Sequence, residues 1–217
     1  MSKLYIVATP IGNLSDITLR AIDTLKQVDC VLCEDTRVTQ KLLNHYEIKT
    51  KTLSYHQHSG KIKEDLVIDR LNHGETLALV TDAGTPGVSD PGNKLVKLVL
   101  ENNHQVEAIP GVSALTTLIS VSGLNLDKFL FLGFLPHKKG RASLIGEINE
   151  TRVPVILYES VHRINKLLEA LNQDRYIVIG RELTKMFETI YRGKVSDVSK
   201  KLNDDKVKGE FVVIIDK

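Results

Sequence analysis

The chain has 217 residues, 42% hydrophobic and 26% charged, with 29 Lys+Arg against 27 Asp+Glu. That length buries a sizeable core without staples, and the balance is that of an ordinary globular protein, which excludes a disordered or collagen-like chain. Only two cysteines occur, Cys30 and Cys33, which excludes a disulfide framework and points to a reducing compartment, the cytoplasm.

The N-terminal MSKLYIVATP has an apolar run too brief for a signal core or a span; no membrane partner is expected, and Leu4 to Ala8 reads as a first strand. It ends in the loop ATPIGN, which contains Pro10. A helix from Ser15 to Lys26 follows, with Ser15 as the expected N-cap. The next strand, Cys30 to Cys33, sets its cysteines on opposite faces. With no second Cys pair or His pair to complete a tetrahedral set, no metal is expected. This strand runs into Glu34-Asp35-Thr36-Arg37, where Arg37 either binds a carboxylate or phosphate or pairs with its acidic neighbours. A strand at Thr50 to Ser54, then YHQH with His56 and His58, a helix at Lys61 to Leu71 and strands at Thr76 to Val80 and Gln105 to Ala108 complete the first half. Strands alternating with amphipathic helices imply parallel pairing through helical crossovers, an α/β domain.

Two connections in this half stand out. TDAGTPGVSDPG, Thr81 to Gly92, leaves a strand directly and holds three glycines and two prolines, either an elaborate structural turn or a loop whose backbone meets a ligand beyond the strand ends. Neither G-x-G-x-x-G nor G-x-x-x-x-G-K-[ST] occurs anywhere, which argues against a dinucleotide or phosphate loop. AIPGVSA repeats the strand-turn-helix design with Pro110, Gly111, Ser113 and Ala114. If the strands before the two loops lie near each other, the loops form opposite walls of one pocket.

A domain boundary is expected between residues 126 and 127, ahead of FLFLGFLP. The second half then reads as a mixed α/β sheet: a helix at Ala142 to Glu150, a strand at Val153 to Tyr158, a helix at Val161 to Leu171, a strand at Tyr176 to Gly180, and later strands at Met186 to Tyr191 and Glu210 to Asp216 flanking a short helix. Residues 129 to 217 carry 16 Lys+Arg against 12 Asp+Glu, whereas residues 1 to 128 carry 13 against 15. The basic surplus either attracts a phosphate backbone or is a scatter of solvated lysines.

Seven segments in order, ATPIGNLSDITLRA, CEDTR, TDAGTPGVSDPG, IPGVSA, FLGFLP with KKG, YESVHR and RELTK with FE, resemble the successive signatures of the tetrapyrrole methylase superfamily, and within it the branch that methylates a cytidine 2′-hydroxyl of 16S ribosomal RNA in the small subunit. The resemblance implies two α/β domains with S-adenosylmethionine in the cleft between them, usually in a homodimer. It implies donor contacts from Pro10, Ala83, Gly84, Thr85, Pro86, Val88, Ser113 and Ala114, and from Tyr158, Glu159, Glu182, Leu183, Glu210 and Phe211. In many relatives it also implies a small further C-terminal domain, whose RNA contacts are expected to be missing from a chain that stops after GEFVVII. His137 stands where an arginine is common, which removes a fixed charge from the RNA face.

Methyl transfer to a ribose hydroxyl asks for alignment and for a proton acceptor. Glu182, Lys185 and Glu188 are the candidate catalytic groups, Lys185 as a base only if desolvation lowers its pKa and otherwise as a phosphate ligand. Arg37, His56, Lys138, Lys139, Arg141, Arg163 and Arg181 are the candidate RNA contacts. For Arg163 the alternative is a helix-start residue paired with Glu159, and for Arg181 an ion pair near Glu182. Two other functions stay open: methylation of a carbon on a precorrin-type tetrapyrrole, and RNA binding without turnover.

Overall fold

The structure is a computed structural model that describes residues 2–56, 59–204 and 208–217; His58 lies outside them. Two compact units divide the chain, Met1–Ser113 and Ala114–Lys217.

In the first unit the five apolar runs become β1 (Lys3–Val7), β2 (Cys30–Cys33), β3 (Thr52–Ser54), β4 (Leu77–Leu79) and β5 (Gln105–Ile109). They pair in the order β3-β2-β4-β1-β5, all parallel. Each return between parallel strands is a helix: α1 (Leu19–Gln27), α2 (Thr36–His45), α3 (Lys61–Asn72) and α4 (Asn93–Glu101). Both faces of the sheet are therefore covered, which is why its strands are apolar on alternate and intervening positions alike. Ala21 and Leu25 of α1 and Leu43 of α2 pack with Val31, Cys33 and Ala78 on one face. Val67 and Leu71 of α3 and Leu95 and Val99 of α4 pack with Cys30, Leu32 and Leu77 on the other. Cys30 and Cys33 are thus buried in separate cores, and burial pushes the Cys33 thiol up.

The start of α1 differs from the sequence expectation. Leu14–Asp16 forms a single 3-10 turn capped by Asn13, whose side-chain oxygen accepts from the Ser15 amide at 3.1 Å. The helix begins later, with Thr18 as N-cap; its hydroxyl accepts from the Ala21 amide at 3.1 Å. Two capping residues compete within six positions, and the helix follows the one that leaves Ala21 and Leu25 facing the core.

The second unit contains α5 (Ala114–Ser122), β6 (Leu130–Phe134), α6 (Arg141–Glu150), β7 (Val155–Ser160), α7 (Ile164–Ala170), β8 (Tyr176–Arg181), β9 (Thr189–Lys194), α8 (Val195–Asp204) and β10 (Glu210–Ile215). The sheet order is β6-β7-β10-β8-β9, with β6 and β7 parallel and the other pairs antiparallel. It is the mixed sheet the pattern predicts. Helix α5, expected to close the first domain, belongs here because it packs on β8 and β10. Gly180 makes that approach possible, since a Cβ there would stand 2.8 Å from both Leu118 Cδ1 and Leu183 Cδ2. Strand β9 starts at Thr189 rather than Met186. Glu182 and Thr184 take left-handed backbone, φ 50° and 66°, and turn residues 182 to 188 into a loop.

Candidate functional site

All five strands of the first unit are parallel, so the loops that follow them emerge at one edge of the sheet. β1 lies between β4 and β5, which seats ATPIGN between the two glycine-rich connections. Hydrogen bonds knit the three loops together. Thr9 and Gly84 exchange both main-chain bonds, at 2.9 and 3.0 Å. The Thr9 hydroxyl donates to the Thr81 carbonyl at 3.1 Å. Directly across, the Thr85 hydroxyl donates to the Val112 carbonyl at 3.1 Å. The loops from β4 and β5 are therefore joined to each other, with the β1 loop as a third member.

Glycine is needed at particular points of this framework. Gly84 has φ 80°, which lets its amide and carbonyl both face Thr9. A Cβ on Gly111 would lie 2.9 Å from Ala8 Cβ, so only glycine permits the β1 and β5 exits to touch. Farther along, the Asn93 side-chain amide donates to the Gly87 carbonyl at 3.1 Å, and Gly87 N donates to Pro91 O at 3.3 Å, folding the loop back on the start of α4. Of the expected donor contacts, Pro10, Gly84 and Pro86 are buried in this framework, Thr85, Val88 and Ser113 are half-buried and Ala83 is exposed. From Ala83 to Val88 there is no ionisable side chain, so the loop offers a ligand main-chain polar groups and apolar contact.

Beside this framework, the connection from β2 leaves toward β3 while that from β4 leaves toward β5. Diverging connections from adjacent strands open a crevice at the sheet edge. Here it is a cavity of about 600 Å³ lined by Glu34, Asp35, Arg37, Ser54, His56 and Asp82, among others. Asp35 is the N-cap of α2: its carboxylate accepts from the Arg37 amide at 2.8 Å and takes the Arg37 guanidinium at 2.6 Å. The Arg37 side-chain bonds, seconded by its amide, hold the Asp35 pKa down to about 2. The Arg37 side chain remains 87% exposed, so its ion pair with Asp35 and an outward-facing guanidinium coexist. His56 is exposed at the rim.

In the second unit the expected residues form two clusters. Glu159, its side chain fully buried, binds Arg141 at 2.6 Å through one carboxylate oxygen and Arg163 at 2.9 Å through the other. Arg141 and Arg163 are therefore committed to an internal charge network, the alternative raised for Arg163. Arg163 Nη1 also lies 3.0 Å from His137 Nδ1, while Lys138 and Lys139 are exposed. Tyr158 lies against Phe131 and Phe134, with ring centroids 5.2 and 5.4 Å away.

In the other cluster, Lys185 Nζ donates to Glu182 at 2.9 Å and to Glu210 at 3.1 Å. The Glu210 amide donates to the Glu182 carboxylate at 3.0 Å, and the Glu182 amide to the Glu210 carbonyl at 3.1 Å. Burial alone would lower the Lys185 pKa, but its bonds to the two carboxylates outweigh it and hold the ammonium above its ordinary value. Burial likewise works to raise Glu182, and the Lys185 and Glu210 donors win, so that carboxyl is held low. Lys185 is thus held as an ammonium ion-paired to two carboxylates, not as a proton acceptor. Glu188 accepts from the Thr184 amide at 2.6 Å and braces the left-handed turn. Arg181 Nε donates to the Lys208 carbonyl at 2.9 Å. The side chains of Leu183 and Phe211 are buried.

A family model described as tetrapyrrole (corrin/porphyrin) methylases matches residues 3–199. Ribosomal RNA small subunit methyltransferase I of Halalkalibacterium halodurans is 44% identical over 217 residues, covering 98% of this chain and 75% of that protein. The protein of the same name from Thermotoga maritima is 41% identical over 218 residues, covering 99% and 98%. Among solved structures, cobalt precorrin-4 methyltransferase, a cobalamin biosynthetic enzyme, superposes with a TM-score of 0.73 at 18% identity, over 99% of this chain and 94% of that one. At that identity the likeness is one of fold, two α/β units of this type.

Proposed function

The chain belongs to the tetrapyrrole (corrin/porphyrin) methylases, and on that premise we propose that it moves a methyl group from S-adenosylmethionine to the 2′-hydroxyl of a cytidine in 16S ribosomal RNA. The reading rests on one observation above all. Three strand-end loops rich in glycine and proline are knitted into a single framework in a chain over 40% identical to proteins named for small-subunit ribosomal RNA methylation.

The residues fit the donor. Main-chain groups of Ala83 and Thr85 suit a nucleoside's polar edge, Gly84 anchors the loop to Thr9 through both of its own, and Pro10, Pro86 and Val88 supply apolar contact. The missing side chain of Gly111 keeps the β1 and β5 loops in touch, so the framework is set before a ligand arrives. When bound, the donor supplies an electrophilic methyl on a sulfonium whose leaving thioether is neutral. What the chain adds is placement, which in favourable cases is worth roughly 7 to 11 kcal/mol. Lys138, Lys139 and the outward face of Arg37 are assigned to RNA phosphates. The protein is placed in the cytoplasm, as a homodimer acting on the small ribosomal subunit. Among the described residues no helix is long and apolar enough to cross a membrane.

The test is transfer of tritiated methyl groups to three acceptors offered in parallel: 30S subunits, 16S RNA and uroporphyrinogen III. Label in either RNA-containing acceptor supports the proposal. Label only in the tetrapyrrole would move the chain to the precorrin branch of its family.

A further inference from the structure

We propose that Glu34 is the proton acceptor of the reaction, and that the cavity where β2 and β4 part receives the ribose to be methylated. This inference rests on the proposed RNA 2′-O-methyltransferase activity and deepens it.

Position is the first ground. The cavity lies at the same carboxyl edge of the sheet as the knitted loops, and Asp82, on its wall, immediately precedes Ala83 in the chain. The Asp35 amide donates to the Asp82 carboxylate at 3.2 Å, which fixes the end of β2 against the start of the glycine-rich loop. A group at the end of β2 therefore stands beside the place assigned to the donor, whereas Glu182 and Lys185 are spent on each other and on Glu210.

Commitment is the second ground. Three carboxylates line the cavity, and two are engaged: Asp35 by Arg37 and the start of α2, Asp82 by the Asp35 amide. Among the described residues no hydrogen bond or ion pair engages the Glu34 carboxylate, which is half-buried at the cavity wall. Around it stand Asp35 and Arg37 from α2, His56 after β3 and Asp82 after β4. Burial raises its pKa, Asp82 and Asp35 raise it further, and His56 opposes them. A carboxylate moved toward neutrality by its surroundings is a stronger base than one in water. Exposed Arg37 and His56 at the rim supply contacts for the flanking phosphates.

The step balances without a co-reactant. The ribose oxygen forms its bond to the methyl carbon as the carbon–sulfur bond breaks with its electron pair going to sulfur, and the hydroxyl proton passes to the Glu34 carboxylate.

The experiment pairs Glu34→Gln with the unaltered protein. Single-turnover methylation of 30S subunits is followed across pH, S-adenosylmethionine binding by calorimetry, and RNA binding by anisotropy of a labelled 16S fragment. The expected result is a rate loss of roughly 10²- to 10⁴-fold, with both binding constants unchanged and the acid limb of the pH profile abolished. In the unaltered protein, an isotope-edited NMR titration of the Glu34 carboxyl, independent of the variant and of turnover, should place it above the ordinary carboxylate range. A Glu34→Gln enzyme with an unaltered rate and acid limb would overturn the assignment, as would a Glu34 that titrates at or below the ordinary value. If the unaltered protein methylates no RNA at all, the activity proposal fails first and takes this one with it. Transfer to RNA by the unaltered protein and by Glu34→Gln alike defeats this one alone.

Discussion

Substituting Gly111 by alanine tests whether the loops after β1 and β5 are as tightly joined as the structure has them. Nothing in the Gly111 backbone forbids alanine, because its φ is not among the positive ones. The obstacle is Ala8, whose Cβ would be 2.9 Å from the added methyl, with the Ala8 carbonyl oxygen at 3.5 Å. Carbon atoms at rest stand ~3.5 to 4.0 Å apart, so one main chain has to move by more than half an ångström. Overpacking of this kind costs ~1 to 3 kcal/mol, partly offset by the ~0.4 to 1 kcal/mol that alanine takes from the entropy of the unfolded chain. A net loss of ~0.5 to 2 kcal/mol follows, read as a Tm lower by ~2 to 4 °C per kcal/mol in a chain of this size. Donor binding should weaken in the same variant, because the displaced segments include Pro10 and Ser113. The decisive partner is Ala8→Gly, which removes the opposing methyl. The double variant Ala8→Gly/Gly111→Ala should recover stability and donor affinity beyond the sum of the single changes, with a coupling energy of ~0.5 to 3 kcal/mol. A Gly111→Ala protein as stable as the original, or additive behaviour in the cycle, would refute the close approach.

Other expected outcomes are independent of that pair. Thr18→Ala should destabilise the protein by ~0.5 to 2 kcal/mol, because the Ala21 amide loses its cap, and urea unfolding should show Ser15→Ala within ~0.5 kcal/mol of the original. Glu159→Ala leaves Arg141 and Arg163, 13% and 16% exposed, without their carboxylate; breaking such a buried pair costs ~3 to 5 kcal/mol, measurable as a lower urea midpoint. Glu182→Gln should show a pH-dependent cost. The Glu182 carboxyl is held below its ordinary value, so its contribution is fully present above the unfolded carboxylate pKa, ~4.3, and disappears as pH falls through the lowered folded value. Lys185 has the opposite sign: raised in the folded state, it contributes fully below the unfolded lysine value, ~10.4, and loses that contribution as pH rises through its own. The difference in urea midpoint between the original and Glu182→Gln should accordingly hold steady near neutrality and shrink in acid; a difference independent of pH would contradict the ion-pair account.

Most of the fold was legible from pattern. The five strands of the first unit lie where short apolar runs predict them, because a sheet covered on both faces leaves long hydrophobic stretches between amphipathic helices. What was not legible came from choices between neighbours that are alike in sequence. Ser15 and Thr18 are both good caps, and packing of Ala21 and Leu25 decides between them. The assignment of α5 to the second unit depends on Gly180, sixty-six residues after its start, admitting Leu118. In the site, TDAGTPGVSDPG announces itself by glycine and proline, but Thr9 and Val112, which tie it down, carry no local signal. Glu34 is the instructive case. Its segment was conspicuous, yet sequence presents Glu34 and Asp35 as equivalent partners for Arg37, and only the α2 cap separates the engaged carboxylate from the free-standing one. Similarly, Lys185 reads as a base or a cation until Glu182 and Glu210 are seen on either side of it.

Nucleoside mass spectrometry reads the acceptor atom directly. 16S RNA incubated with the protein and S-adenosylmethionine carrying a deuterated methyl group is digested to nucleosides and fragmented. Label is expected in one nucleoside, a cytidine, with the mass increment on the ribose fragment. Label on a base fragment, or no labelled nucleoside when donor binding is intact, would contradict it.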